Sequence, residues 1–426
     1  MAILIKGGRV IDPASGFDSV CDVLLENSKI TKIGTGLAVP SDAKIISAEG
    51  KIVAPGLLDM HCHLREPGQE YKEDIESGTR SAACGGFTSV ACMPNTTPPI
   101  DNAFLIGFVK QKAERVASVH VLPIGAVSKE QKGEELAEIG DMHAAGAVAV
   151  SDDGRPVSNP ELMRRALEYA NMFQTPVISH CEDLSLAVGS MNEGIVSTRL
   201  GLKGIPNAAE EVQIARDLIL ARETGAQLHI AHVSTAGGVE MIRQAKANGI
   251  RVTAETCPHY FTLTEEAVEG FNTNAKMNPP LRTEKDVEAV IEGLADGTLD
   301  AIVTDHAPHH IDEKNLEFAA AKNGIVGFET ALGLGITYLV RSGRLSLSEF
   351  LKKMTCNPAD ILHCPCGRLY EGGEADVVVF DMENPYTVCV KQFASKSKNS
   401  PYDEWELYGR VCATIVSGKI VAGEAE

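Results

Sequence analysis

Residues 51–67 read KIVAPGLLDMHCHLREP. The first eight are mostly apolar, which predicts a buried strand with His61 and His63 at or just past its C-terminal end. In extended backbone, side chains two apart point to the same side, so both imidazoles aim at one place while Cys62 turns away. Such a pair can grip a cation from two sides. Alone, an H-x-H is a weak signal, and its meaning depends on whether other parts of the chain bring further donors.

Working outward, the segment opens a long alternation. From about residue 52 to 340, apolar β-rich pieces alternate with stretches that read as helices. The strand-like pieces are KIVAPGLLD, FTSVACMP, HVLPIGAVS, AVAVSDD, PVISHCED, LHIAHVS, RVTAETC and AIVTD, eight in all. Helical patterns such as DIESGTRSAACGG, NPELMRRALEYANMF, AAEEVQIARDLILARETG and EKDVEAVIEGLADG fall between them. Eight such units predict an α/β fold, a (β/α)8 TIM barrel, whose chemistry gathers on the loops after the strands' C-terminal ends. The first fifty residues and those past 365 read instead as short strands with glycine turns. Neither end is large enough to bury a core alone, so together they are expected to build one small β-sandwich domain. The expected division is 1–53 with 365–426 for that domain and 54–364 for the barrel.

Composition narrows the function classes. Acidic residues outnumber basic ones 58 to 39, a formal charge of -19, which argues against a nucleic-acid or anionic-membrane surface. No apolar stretch nears the roughly 20 residues of a spanning helix, and the N-terminus lacks the pattern of a signal peptide, so a cytoplasmic protein is expected. The 11 cysteines are scattered, as reduced thiols are, and the C-x-C of Cys364 and Cys366 has no second pair nearby.

The barrel reading makes a test of the histidine pair possible, because further ligands should sit at the ends of other strands. His180 ends PVISH, His232 comes late in LHIAHVS, Asp305 ends AIVTD, and Asp152 and Asp153 close AVAVSDD. Four independent strands thus deliver metal-type donors to the same rim. His120, His143, His229 and His363 fall outside this pattern and read as structural or surface groups. Imidazole nitrogen and carboxylate oxygen suit zinc, with manganese, cobalt or iron as rivals. His61, His63 and Asp305 could hold one ion and His180 with His232 a second, joined by a bridging carboxylate. Such a pair acidifies a water and polarises a carbonyl oxygen, the requirements for opening an amide-like bond at neutral pH.

DMHCHLREPG, the strand-four aspartates, ISHCED, IAHVS and VTDHAPH, in this order on a barrel flanked by a split β domain, resemble the cyclic amidohydrolases of the amidohydrolase superfamily. More closely, LREPG after the H-x-H, MPNT at 93–96 and DHAPHHIDEK at 305–314 resemble the dihydroorotase family in its long-chain bacterial form. Many relatives in the superfamily bridge their metals with a carboxylated lysine on strand four, and AAGAVAVSDDGRPV contains none. The resemblance therefore implies a bridging aspartate, Asp153 by position with Asp152 as the alternative. An aspartate is shorter than a carboxylated lysine, which leaves open whether one zinc ion or two are held per chain.

The same resemblance implies reversible ring closure of N-carbamoyl-L-aspartate to L-dihydroorotate, a step of pyrimidine biosynthesis. Both molecules keep a carboxylate, and Arg65, with its bidentate guanidinium, is the natural partner. Asn95 and His309 are carried over from the family as the other carboxylate-binding groups. Asn278 and the GIVGF stretch at 324–328 are expected to line the ring. Asp305 is the implied catalytic residue: it takes a proton from the attacking water and delivers it to the departing nitrogen. The segment 306–323, polar at its start, is expected to close over the substrate as a lid. Relatives also suggest a homodimer and admit aspartate carbamoyltransferase as a partner chain. Two other readings stay open: another cyclic amidase of the allantoinase or hydantoinase type, whose substrates would leave Arg65 without a task, and an inactive barrel that scaffolds aspartate carbamoyltransferase, which would predict lost ligands.

Overall fold

In the computed structural model, which describes residues 2–41 and 43–423, the chain forms two large sheets. The first holds eight parallel strands in chain order: Leu57–Cys62, Phe87–Cys92, His120–Gly125, Ala149–Ser151, Val177–Ser179, Leu228–Ile230, Val252–Thr256 and Ala301–Ile302. It closes on itself where Cys62 bridges His306 in parallel and the His63 amide donates to the His306 carbonyl at 2.8 Å. Most strand residues are buried, which is why these strands read as continuous apolar runs rather than alternating ones. The fold is the (β/α)8 barrel that the alternation predicts.

Helices wrap the barrel, and their ends follow from local sequence. Asp74 accepts from the Ser77 amide to start Ile75–Cys84, Asn159 caps Pro160–Asn171, and Thr283 with Asp286 forms a capping box ahead of Glu284–Asp296. Gly225 and Gly297 stop Ala208–Thr224 and Glu284–Asp296 in the left-handed region, at φ 65° and 85°.

The run from 51 to 58, read from the sequence as one strand, is two. Ile52–Pro55 belongs to the second sheet, parallel to Ala2–Asp12 and antiparallel to Val377–Asp381, while Leu57–Cys62 opens the barrel. Gly56 is the pivot: its amide donates to the Asp376 carbonyl at 3.0 Å, and a Cβ there would fall 2.1 Å from the Thr88 side chain. Both pieces are buried, so hydrophobicity does not mark the switch.

The second sheet is antiparallel for the most part and draws on both chain ends. Its strands run in the order Lys419–Gly423, Arg410–Val416, Val377–Asp381, Ile52–Pro55, Ala2–Asp12, Phe17–Glu26 and Lys29–Gly34, with Lys44–Ser47 also paired to Ala2–Asp12. The sheet curls until Lys29 bridges Glu374 and the Ile30 amide reaches the Gly373 carbonyl at 2.9 Å. Inside the curl, Ile5, Val23, Ile30, Val53, Val377 and Ile415 make a second core to which each chain end contributes. Among the described residues, no helix is long and apolar enough to cross a membrane. All cysteines are free thiols, and neither Cys364 nor Cys366 joins a cluster of three metal-type donors among the described residues.

Candidate metal centre and substrate cavity

The six expected ligands converge at the C-terminal mouth of the barrel. Asp153 lies at the middle: its Oδ1 is 3.4 Å from His61 Nε2, 3.4 Å from His180 Nδ1 and 3.5 Å from His232 Nε2, and its Oδ2 is 3.5 Å from His63 Nε2. Asp305 Oδ1 stands 3.0 Å from His63 Nε2 and 3.7 Å from His61 Nε2. Two donor triads result, His61 with His63 and Asp305, and His61 with Asp153 and His232. His180 flanks the second, its Nδ1 2.8 Å from His232 Nε2. Asp152 points elsewhere: its carboxylate accepts from the Val127 and Ser128 amides at 2.8 and 3.1 Å and from the Ser128 hydroxyl.

The donors fit a divalent ion. A tetrahedral ion with arms of ~2 Å places its ligand atoms about 3.3 Å apart, near the spacings found here. His61 Nε2 and Asp153 Oδ1 are buried without a hydrogen-bond partner although they face each other. Electrostatics point the same way. Burial resists charge on His61, yet Glu255 and Asp153 hold it well above the ordinary imidazole range. Burial likewise resists charge on His180, but Asp153 and Glu182 push it up to about 10. Asp153 and Asp305 are held low despite their own burial, Asp305 at about 2, by the surrounding imidazoles. A pocket that pulls protons onto buried histidines is one that stabilises positive charge.

Three residues at the same rim have strained backbone. His232 has φ 33°, Asp305 φ 44° and Arg65 φ 60°, all in the left-handed region that non-glycine residues avoid at a cost of about 1–3 kcal/mol each. The first two turn sharply off their strands, which aims each side chain across the mouth.

Two carboxylates that the sequence reading did not single out orient the candidate ligands. Glu255, fully buried on the seventh strand, accepts from His61 Nδ1 at 2.5 Å and from His229 at 3.0 Å. It fixes the His61 ring so that Nε2 faces the centre. Glu182 does the same for His180, accepting from Nε2 at 3.1 Å. A lone glutamate in the otherwise uncharged VTAET strand was the available signal for the first, because an unpaired carboxylate does not survive inside a barrel.

Beside the ligands lies a cavity of about 230 Å³, lined by His63, Asp153, His180, His232 and Asp305 together with Arg65, Asn95, Asn278 and His309. Arg65 is buried, and its hydrogen bonds go to the Pro308 carbonyl at 3.1 Å and to His309 Nε2 at 3.3 Å rather than to a carboxylate. Because the guanidinium only donates, His309 Nε2 is an acceptor and its proton sits on Nδ1, toward Glu313. Burial, and then the Arg65 charge, keep that ring neutral, far below the usual histidine range. Asn95 is engaged with the ligands themselves, its Oδ1 at 2.8 Å from His63 Nδ1 and its Nδ2 at 3.3 Å from Asp153 Oδ2. Asn278 Nδ2 donates to Glu182 at 3.2 Å. Of the GIVGF stretch only Gly324 reaches the cavity, and Lys322 and Asn323 line it instead.

The segment 306–323 is laced in place by two buried lysines. Lys276 donates to the Ala319 and Ala321 carbonyls at 2.9 and 2.7 Å, and Lys314 to those of Lys322 and Gly324 at 2.8 and 3.2 Å. Burial, reinforced by Lys276, lowers Lys314 to about 7. Between pH 7 and the ordinary lysine value the unfolded chain therefore binds the proton that the folded chain has released, and stability at this position rises with pH. Denaturation of wild type and Lys314→Met at pH 6.5 and 9.5 is expected to favour wild type more at 9.5, by on the order of a few kcal/mol. An unchanged difference would contradict the buried charge.

Comparison with known proteins joins this geometry to a family. Residues 50–237 match the Dihydro-orotase-like family model. A dihydroorotase of Acetivibrio thermocellus is 58% identical over 423 residues, 99% of either chain. The chain belongs to the dihydroorotase family. A second dihydroorotase, of Geobacter metallireducens, is also 58% identical, over 99% of either chain. Among solved structures, the L-hydantoinase (dihydropyrimidinase) of Arthrobacter aurescens superposes with a TM-score of 0.89 at 27% identity, covering 100% of this chain and 96% of its own. The chain thus shares its barrel with a hydantoinase.

Proposed function

We propose that the chain catalyses the reversible cyclisation of N-carbamoyl-L-aspartate to L-dihydroorotate with zinc as its metal. The observation that carries this reading is Arg65: a buried guanidinium without a carboxylate partner, in the same cavity as the ligand cluster. A substrate carboxylate would complete that site, and a hydantoin or dihydrouracil has none to offer.

The residues then divide the work. His61, His63, Asp153, His180, His232 and Asp305 would hold the ion or ions, with Asp153 as the bridge because its two oxygens face different histidines. Bound there, zinc supplies Lewis acidity, which acidifies water and polarises a carbonyl oxygen. Arg65 and His309 bind the substrate carboxylate, which enters between groups that otherwise satisfy each other; His309 donates to it in the other neutral tautomer, with its proton on Nε2 rather than Nδ1. Asn278 contacts the ring, and Asn95 steadies His63 and Asp153 at the cavity wall. Asp305 remains an anion near neutrality, since the histidines beside it outweigh its burial and hold it at about 2. In the hydrolytic direction its carboxylate takes a proton from the attacking water and passes it to the ring nitrogen that leaves. In the biosynthetic direction it returns that proton.

The test is ring opening of L-dihydroorotate by purified protein, followed by loss of ring absorbance beside bound zinc per chain. Hydrolysis that a chelator abolishes and added zinc restores is expected, with one or two ions per chain. A metal-loaded protein that leaves L-dihydroorotate intact but opens a hydantoin would refute the substrate assignment.

A further inference from the structure

The C-terminal segment FASKSKNS, residues 393–400, contains neither a proposed ligand nor a group facing the cavity, yet it runs behind the substrate loops and is largely buried at its polar positions. The Ser395 hydroxyl donates to Glu73, and the Ser397 hydroxyl to the Lys72 carbonyl at 2.8 Å. Asn399, 3% exposed, uses both donors of its amide and its oxygen. Its Oδ1 accepts from the His309 amide at 3.1 Å, and its Nδ2 donates to the Ala307 and Gly324 carbonyls, both at 3.0 Å. Its own carbonyl accepts from the Val326 amide at 3.0 Å.

These four bonds join two stretches, 307–309 and 324–326, which meet at the carboxylate end of the cavity. The approach is close: Gly324 has φ 139°, and a Cβ on it would lie 2.7 Å from the Ala307 carbonyl and 3.1 Å from His309 Cδ2. Nothing but hydrogen leaves room for the two backbones, and the Asn399 amide clips them together beside their one direct bond, from the Ala307 amide to the Ile325 carbonyl at 2.7 Å. His309 in turn meets Arg65 at 3.3 Å, so the spacing of the pair depends on where the clip holds the His309 backbone.

We infer that Asn399 is a positioning residue for substrate-carboxylate binding, acting through His309, and that the C-terminal strap thereby belongs to the working parts of the enzyme. The inference rests on the proposed role of Arg65 and His309. A residue of this kind governs how well the carboxylate is held more than how fast the ring opens.

The experiment compares wild type, Asn399→Ala, His309→Ala and the double variant with L-dihydroorotate, alongside amide hydrogen exchange of the zinc-loaded proteins without substrate. Asn399→Ala is expected to raise KM about tenfold with kcat within about threefold, and to change KM less than about twofold once His309 is already alanine. Exchange over 306–326 is expected to quicken in Asn399→Ala while the barrel strands keep their protection. Should Asn399→Ala fail to fold, Asn399→Asp retains the size and the acceptor but loses both donations, and is expected to show the same KM change. An unaltered KM, or factors that simply multiply in the double variant, overturns the inference. Wild-type protein that does not open L-dihydroorotate refutes the proposed reaction instead. In that case hydrogen exchange still decides the clip, and unaltered exchange over 306–326 overturns it.

Discussion

Asp305→Asn is expected to lower the turnover of L-dihydroorotate by about 10²–10⁴ with the fold intact, the range that loss of a positioned general acid and base commonly produces. The replacement nearly preserves volume, and asparagine tolerates the left-handed backbone that Asp305 adopts at φ 44°, so the strand end has no reason to rearrange. What disappears is an anion able to carry a proton. The amide oxygen can still face His63, now 3.0 Å away, but cannot take a proton from water. Metal analysis of the same preparation separates the residue's two proposed tasks. Zinc retained at the wild-type level with turnover lost assigns the loss to proton transfer, and zinc lost in parallel assigns it to ligation. Near-normal rates with full metal would remove Asp305 from the mechanism altogether.

Arg65→Met should cost about 10²–10³ in kcat/KM, since truncating one partner of a buried charge pair typically removes 2–5 kcal/mol. Most of the loss is expected in KM, because the carboxylate is held in the ground state as well as in the transition state. Arg65→Lys should recover only part of it, as an ammonium cannot present two parallel N–H groups to the carboxylate. Stability is expected to move the other way. Burial lowers the pKa of Arg65, and Asp305, Asp153 and Glu313 offset its desolvation only in part because none of them bonds it directly, so the methionine variant should melt no lower than wild type. A variant that binds L-dihydroorotate as well as wild type does would show that the carboxylate is read elsewhere in the cavity.

Much of this site was legible in the sequence because a parallel barrel puts its chemistry where periodicity can find it. Each strand end is a fixed address, so His61, His180, His232 and Asp305 could be placed on one rim without knowledge of any distance. The choice between Asp152 and Asp153 was positional in the sequence and becomes physical in the structure, where one carboxylate caps the Val127–Ser128 turn and the other faces four histidines. Illegible were the interactions made by residues without a motif. Glu255 stands out as the one charge of its strand, but which groups it serves shows only when His61 and His229 are seen on either side of it. The split at Gly56 was hidden because apolar residues continue through it, and only the requirement for a residue without Cβ against Thr88 betrays the turn. The lysines that lace 306–323 bond to carbonyls, and a carbonyl leaves no trace in composition.

The order of synthesis gives the second sheet a further meaning. A ribosome releases His61 through Asp305 well before Val377–Asp381, the strand that Ile52–Pro55 waits for, and before Asn399. A nascent chain therefore owns the full set of candidate metal donors while the sheet that anchors its first barrel strand is still missing a neighbour, and while His309 has no clip. Premature termination before Val377 would yield a chain that carries all six candidate donors but lacks both the strand beside Ile52–Pro55 and the clip on His309. Quality control that senses only metal uptake would pass such a product; one that senses the seam between the two ends would not.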